Sequence, residues 1–294
     1  MALRRTVILM LNRAMKAKKI EKEMLREWAT KQWVMYVVER KIDGFRFIRV
    51  KNRWASKQNK LFSNVKDIQH RLDQHRKLKG YIIDGELAGK SWEQTMTLFR
   101  SSKTDVSSEQ HNGKYWVFDI VHPDRLDEPY RDRRKRLEDI FSSIDDPRIL
   151  PLHSEQVLSY NDFERAHNEH LVSGGDGSIL KDIFSGYEFK RSKSWLKVKP
   201  IHELDCKIVG FKEGKGKYVG TLGSIEAVIP LPKNKWSIET TNISGMTDED
   251  RHYIWRHRKE LIGKIVEVSY RKISEKDRLV EGRIHRLRLD KDML

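Results

Sequence analysis

The chain has 294 residues, 38% of them hydrophobic, and 59 lysines and arginines against 43 acidic residues leave it at +16. That length suffices for one large domain or two ordinary ones, and the charge suits a polyanion, nucleic acid before an acidic membrane. The single cysteine, Cys206, excludes an intramolecular disulfide and a cysteine-built zinc site, and no apolar run approaches the ~20 residues of a membrane span.

In chain order, residues 3–30 predict a strongly basic helix with Leu3, Val7, Leu11, Met15 and Ile20 as a rough apolar stripe. The apolar run Val7 to Leu11 is too short for the core of a signal peptide, so the expected compartment is the cytoplasm, or the host cytoplasm for a viral protein. Strands are expected at 32–39 and 45–50, with Asp43-Gly44 between them as a tight hairpin turn. A helix follows near 65–78, with Val65, Ile68 and Leu72 on one buried face. YIIDGELAG (81–89) reads as a strand ending in a turn, and 91–100 as a short helix capped by Ser91. The aromatic and branched residues of 114–122 predict a buried strand. An arginine-rich helix spans 130–141, a helix capped by Asn161 runs to Leu171, and strands follow at 177–182 and 194–199.

Pro200 marks a change of pattern. Residues 1–200 read as one domain that carries most of the positive charge. Residues 201–294 read as a second, of short strands joined by glycine- and lysine-rich turns, with one helix at 248–261 capped by Thr247. Such a pattern suggests a small barrel, with the OB-fold as the obvious nucleic-acid candidate.

Six short segments could carry chemistry. The first is Lys41-x-Asp43-Gly44-x-Arg46. A lysine amine is a nucleophile only when deprotonated, and its ordinary pKa is about 10.4, so a site must depress it by desolvation or by neighbouring positive charge. The second is Asp84-Gly85-Glu86, a carboxylate at a strand end where Mg²⁺ could be held directly or through water. The third is Phe118-Asp119, an aromatic ring able to stack on a purine. The fourth runs from Asp176 to Lys181, and the fifth is Ser194 to Lys199, where alternation puts Lys197 and Lys199 on one strand face. Two adjacent ammonium groups repel unless an anion such as phosphate joins them. The sixth, Arg286 to Lys291, puts Arg286 and Arg288 on one face. Alone, segments two to six read as readily as turns, core or solvated charge.

In this order the segments resemble the motifs of the covalent nucleotidyltransferases, the superfamily of polynucleotide ligases and mRNA capping enzymes, and most of all the compact phage-type ATP-dependent DNA ligases. KIDGFR resembles motif I, DGEL motif III, VFDI motif IIIa, DGSILK motif IV, SWLKVK motif V and RLRLDK motif VI, and the likeness covers residues 32–294. It implies an α+β adenylation domain of antiparallel sheets flanked by helices, followed by an OB-fold barrel. It further implies a monomer acting on nicked duplex DNA with ATP and Mg²⁺, for which Mn²⁺ can substitute. By the resemblance, Lys41 forms a lysyl-AMP phosphoramidate, AMP passes to the 5′-phosphate of a nick, and the 3′-hydroxyl then expels it. Glu39 would contact the adenine amino group, Arg46 the ribose or the nick phosphate, Glu86 the ribose or a metal, and Phe118 the adenine face. Asp176 would help to hold the metal, although motif IV usually begins with glutamate. Lys181, Lys197 and Lys199 would face phosphates, while Arg288, Asp290 and Lys291 would orient the leaving pyrophosphate. Residues 1–31 match no part of the family pattern; as a basic helix they would add DNA contacts.

The alternatives are an RNA ligase, which shares motifs I to V but usually lacks the OB-domain, and a capping enzyme, which uses GTP. An NAD-dependent ligase resembles a longer chain with a four-cysteine zinc site. A non-catalytic nucleic-acid binder would have no need of Lys41, Glu86, Lys197 and Lys199 together.

Overall fold

In the computed structural model, residues 10–56, 59–62, 64–100, 113–232, 235–274 and 276–288 are described. By its internal contacts the chain divides into two compact units, Met1–Lys199 and Pro200–Leu294.

The strands of the first unit are β1 (Lys16–Lys19), β2 (Tyr36–Arg40), β3 (Phe45–Val50), β4 (Arg53–Ser56), β5 (Ile82–Ala88), β6 (Lys114–Val121), β7 (Ile149–Pro151), β8 (Ser154–Gln156), β9 (Ser178–Asp182) and β10 (Arg191–Val198). They form two five-stranded sheets, ordered β1-β10-β9-β2-β8 and β4-β3-β5-β6-β7. Pairing is antiparallel except at β1/β10 and β6/β7. One apolar cluster, including Leu11, Met15, Ile48, Val121, Tyr187 and Trp195, draws residues from both sheets. Val38 and Leu180 of the first sheet form a second cluster with Trp33 and with Phe163 of the helix Tyr160–Val172. On the other sheet, Phe47, Ile83 and Tyr115 pack with Ile68 and Leu72 of the helix Lys66–Gln74 and Leu137 of the helix Tyr130–Phe141. Burial of a ring such as Phe163, which has no exposed surface, is worth about 3–5 kcal/mol against alanine.

Several local expectations change. The strand expected at 32–39 begins only at Tyr36, because Thr30–Trp33 is a short helix. Residues 3–30 are not one helix across their described part, because Lys16–Lys19 is a strand paired in parallel with β10. Its lysines gain ladder hydrogen bonds that a helix would have supplied internally, and Leu11 and Met15 are still buried. Asp43-Gly44 is not a hairpin turn either: β2 and β3 lie in different sheets, so Lys41–Gly44 is a crossing between them. Finally, the helix Tyr160–Val172 is capped by Ser159, whose Oγ accepts the Asp162 N–H at 3.1 Å, rather than by Asn161. Ser91 caps the helix Trp92–Arg100 as expected, its Oγ accepting from the Gln94 N–H.

The second unit continues with β11 (His202–Glu213), β12 (Leu222–Val228), β13 (Pro230–Leu231), β14 (Lys235–Trp236), β15 (Thr241–Ile243), β16 (Ile265–Tyr270), β17 (Lys272–Ile273), β18 (Leu279–Val280) and β19 (Arg283–Arg288). Its main sheet is ordered β15-β12-β11-β16-β19, with two small ribbons, β13-β14 and β17-β18. Among the described residues no ladder closes this sheet, although one bridge joins Gly245, just after β15, to Arg283 of β19. The helix Asp248–Arg256, capped by Thr247 as expected, and the short helix Arg258–Leu261 bring Ile254 and Leu261 into a core with Cys206, Ile208, Ile225 and Val266. No described helix is long and apolar enough to cross a membrane.

Candidate active site

Within the first unit a cavity of about 250 Å³ is lined by residues of both sheets, among them Glu39, Arg40, Lys41, Arg46, Glu86 and Phe118. Strand register explains the first wall. Glu39 of β2 and Lys197 of β10 both lie opposite Ile179 of β9, and two residues along, on the same face, Lys181 lies opposite Trp195. Opposed residues share a sheet face, so these side chains converge. On the other sheet Arg46, Glu86 and Trp116 lie in register across β3, β5 and β6. The β5/β6 register then skips Phe118, passing from Gly85 opposite Val117 to Asp84 opposite Asp119. Such a bulge re-aims the extra side chain, and Phe118 lines the cavity.

Lys41 is fixed at the crossing between sheets. Its N–H donates to the Gly177 carbonyl at 2.9 Å, and its carbonyl accepts the Asp176 N–H at 2.7 Å. Two glycines allow this close passage. A Cβ on Gly44 would stand 2.2 Å from the Leu87 carbonyl oxygen, and one on Gly177, whose φ is +114°, would stand 2.1 Å from that of Val198. The Lys41 Nζ lies 2.5 Å from Asp176 Oδ2, and Lys199 Nζ is 3.3 Å from the same oxygen. Asp176 therefore answers the repulsion between two ammonium groups.

Lys181 lines the same cavity and is held there by protein groups. It and Glu39 form a 2.7 Å ion pair in which each side chain is 1% exposed. Lys181 Nζ also donates to the Phe118 carbonyl at 2.9 Å and stands 4.4 Å from the centre of the Trp195 ring. Burial lowers its pKa, and Glu39 recovers part of the loss. Glu39 also accepts from the Tyr130 hydroxyl, so it reaches the cavity as the partner of a buried cation. Nothing in the spacing of DGSILK shows this, because the partner lies on another strand.

Arg46 is likewise engaged. It makes a bidentate pair with Asp84, at 2.8 and 2.5 Å, donates to the Met15 carbonyl at 2.6 Å, and lies 5.2 Å from the Phe118 ring centre. Burial opposes its charge, and the Asp84 carboxylate more than restores it. Asp84 also accepts from the Tyr187 hydroxyl at 2.5 Å. Arg46 thus ties the segment entering β1 to the second sheet. Glu86 lines the cavity, and burial pushes its carboxyl up to about 7 against the pull of Lys41 and Arg46.

Lys197 lines the cavity as well, so of the two motif V lysines one faces it and the other meets Asp176. The sequence reading missed Arg40, Trp195 and the β1 residue Lys16, all in the lining. The buried Trp195 indole N–H has no acceptor among the described residues. An unmet donor, an aromatic face at Phe118 and several cations fit an anionic nucleotide better than an apolar ligand. Among the described residues no group of three or more metal-ligating side chains occurs. Mg²⁺ needs only one or two carboxylates beside waters and phosphates, which Glu86 can meet.

In the second unit Arg288 lies opposite Ile265, with its guanidinium 3.5 Å from Glu267 and 3.7 Å from Asp205. Asp290 and Lys291 lie outside the described residues.

Residues 10–199 match the family model described as ATP dependent DNA ligase domain. A DNA ligase of Archaeoglobus fulgidus is 29% identical over 307 residues, covering 91% of this chain and 54% of that protein. One of Methanothrix thermoacetophila is 29% identical over 248 residues, covering 77% and 44%. The chain spans about half the length of the curated relatives it matches. Among solved structures, Pmar-Lig_PreS3 shares the fold at a TM-score of 0.77 and 22% identity, over 94% of this chain and 67% of that one. A structure from a study of Lig E DNA ligases does so at 0.74 and 20%, over 94% and 98%.

Proposed function

Because the chain belongs to the ATP-dependent DNA ligase family, we propose that it seals nicks in duplex DNA through a covalent Lys41–AMP intermediate. One observation carries this reading: Lys41 Nζ, at 2.5 Å from Asp176, stands in a cavity that also presents Phe118 and Glu86. The first step forms a bond between Lys41 nitrogen and the α-phosphorus of ATP and breaks the bond to pyrophosphate. The ammonium must shed a proton first, and Asp176 is the carboxylate placed to hold it. The AMP then passes to a 5′-phosphate, freeing Lys41, and the 3′-hydroxyl displaces AMP to close the strand. At each step charge builds on phosphate oxygens, which Lys197, Lys199 and a metal held by Glu86 would neutralise. Phe118 would stack on the adenine, with Glu39 and Lys181 as a fixed buried pair beneath it. Mg²⁺, or Mn²⁺ in its place, would supply Lewis acidity at the phosphates.

The division at Pro200 supports an adenylation domain over residues 1–200 and a nucleic-acid-binding domain over 201–294. The bridge from Gly245 to Arg283 supports reading the second as an OB-type barrel, its sheet joined by little more than that bridge. Arg288 and Lys291 would act on the leaving pyrophosphate from that domain.

The test is sealing of a nicked duplex, with DNA or RNA strands and with ATP or GTP. ATP-dependent closure of the DNA nick is expected. Closure of RNA alone, or use of GTP alone, would move the reading to RNA ligation or capping.

A further inference from the structure

Arg40, between Glu39 and Lys41, is assigned no role by the motif pattern. It ends β2 and lines the cavity. Its guanidinium donates to the Ser173 carbonyl at 3.1 Å and stacks 5.1 Å from the centre of the Trp116 ring. The loop before Asp176 passes so close that a Cβ on Gly175 would meet the Arg40 Cγ at 2.8 Å. The group is therefore held in place against the Trp116 ring. Among the described residues no carboxylate pairs with it, and burial lowers its pKa with no anion offsetting the effect.

This contrasts with Arg46, whose fork is committed to Asp84 and the Met15 carbonyl. A partly desolvated, preorganised guanidinium with spare N–H donors suits a bidentate phosphate. Two sources of phosphate are at hand, the nick and ATP. The exposed Lys114, whose Nζ lies 5.5 Å from the other cation's Trp116 ring, is not in the cavity lining. The cations thus continue past the cavity, as a longer polyanion requires.

We propose that Arg40, braced by Trp116, binds the 5′-phosphate of the nick. This rests on the ligase reading above. Arg46, named by the resemblance as a candidate for that contact, would instead serve as a clamp on the segment entering β1.

The test uses the full chain with Arg40→Gln, which keeps a donor for Ser173 and loses the charge. Binding is measured in EDTA to nicked duplexes ending in a 5′-phosphate or a 5′-hydroxyl. Covalent labelling by ATP and Mg²⁺ is measured separately. The native chain should prefer the phosphate nick, and Arg40→Gln should cut that preference about tenfold while labelling falls by less. Equal preference in the native chain, or one retained in the variant, would overturn the proposal. A labelling loss as large as the binding loss would assign Arg40 to ATP and also overturn it. If Arg40→Gln does not fold, Arg40→Lys decides: it keeps the charge without the planar fork, and a preference equal to the native one would overturn the proposal. Failure of the native chain to take label from ATP would defeat the ligase reading itself, a different outcome.

Discussion

Lys41 Nζ and Asp176 Oδ2 stand 2.5 Å apart, and the backbones of the same two residues are hydrogen-bonded to each other at 2.7 Å. The nucleophile and its carboxylate are therefore positioned by one local structure, which the segments around Gly44 and Gly177 create by close backbone approach. If Asp176 holds the Lys41 proton and orients the amine, Asp176→Asn should slow lysine labelling by ATP by on the order of 100-fold. Single-turnover labelling of the folded variant reads this. A rate within a few-fold of native would remove Asp176 from the chemistry.

Glu86 gives a pH signature. Its carboxyl is pushed up to about 7 in the folded protein, whereas an unfolded chain releases that proton near ~4.3. Between those values the folded state binds the proton more tightly. This contribution to stability is full below about 4.3 and is lost as pH rises toward 7. The carboxylate that can hold Mg²⁺ forms over the same range, so labelling should rise with pH up to about neutrality. Glu86→Gln should label slowly and remove this acid limb. Labelling and thermal unfolding from pH 5 to 8 check both, and an unchanged limb in Glu86→Gln would assign it elsewhere.

The Glu39–Lys181 pair is fully buried. Removing one partner leaves a buried charge, so Glu39→Ala should cost about 3–5 kcal/mol. The double change Glu39→Gln with Lys181→Met should recover part of that loss, because no uncompensated charge remains. Urea unfolding of the three proteins measures the difference. Equal stability of Glu39→Ala and the native chain would mean that the ion pair is not present in solution.

Gly177→Ala asks a residue with a Cβ to hold a φ of +114° with that carbon 2.1 Å from a carbonyl oxygen. Backbone strain of this kind costs of order 1–3 kcal/mol before the clash is counted. The variant should be less stable and should label slowly, since Gly177 carries the carbonyl that holds the Lys41 N–H. Native-like stability and rate would show that the crossing can relax without moving Lys41.

The sequence exposed the residue types of the site but not their partners. Lys41, Glu86, Phe118 and Lys197 all reach the cavity, because each lies in a short motif whose neighbours in the chain set its direction. Lys181 was legible as a cation and illegible as a buried one, since what buries it comes from β2, β6 and β10. The same limit produced the expected hairpin at Asp43-Gly44. A turn dipeptide between β-prone runs says that two strands meet there, not that they enter different sheets. β1 was hidden by its lysines, which resemble a solvated helix until β10 supplies the ladder. The arginine-rich helix expected over 130–141 is found at Tyr130–Phe141.

Whether Lys41 carries AMP decides the chemistry of this site. The full chain, first shown to be folded and not already adenylated, is incubated with ATP and Mg²⁺ and its intact mass is measured. The modified residue is then mapped, with Lys41→Ala as the control. The predicted result is a gain of one AMP on Lys41, absent from Lys41→Ala and discharged when nicked DNA is added. No gain, or an AMP that persists in Lys41→Ala, would contradict it.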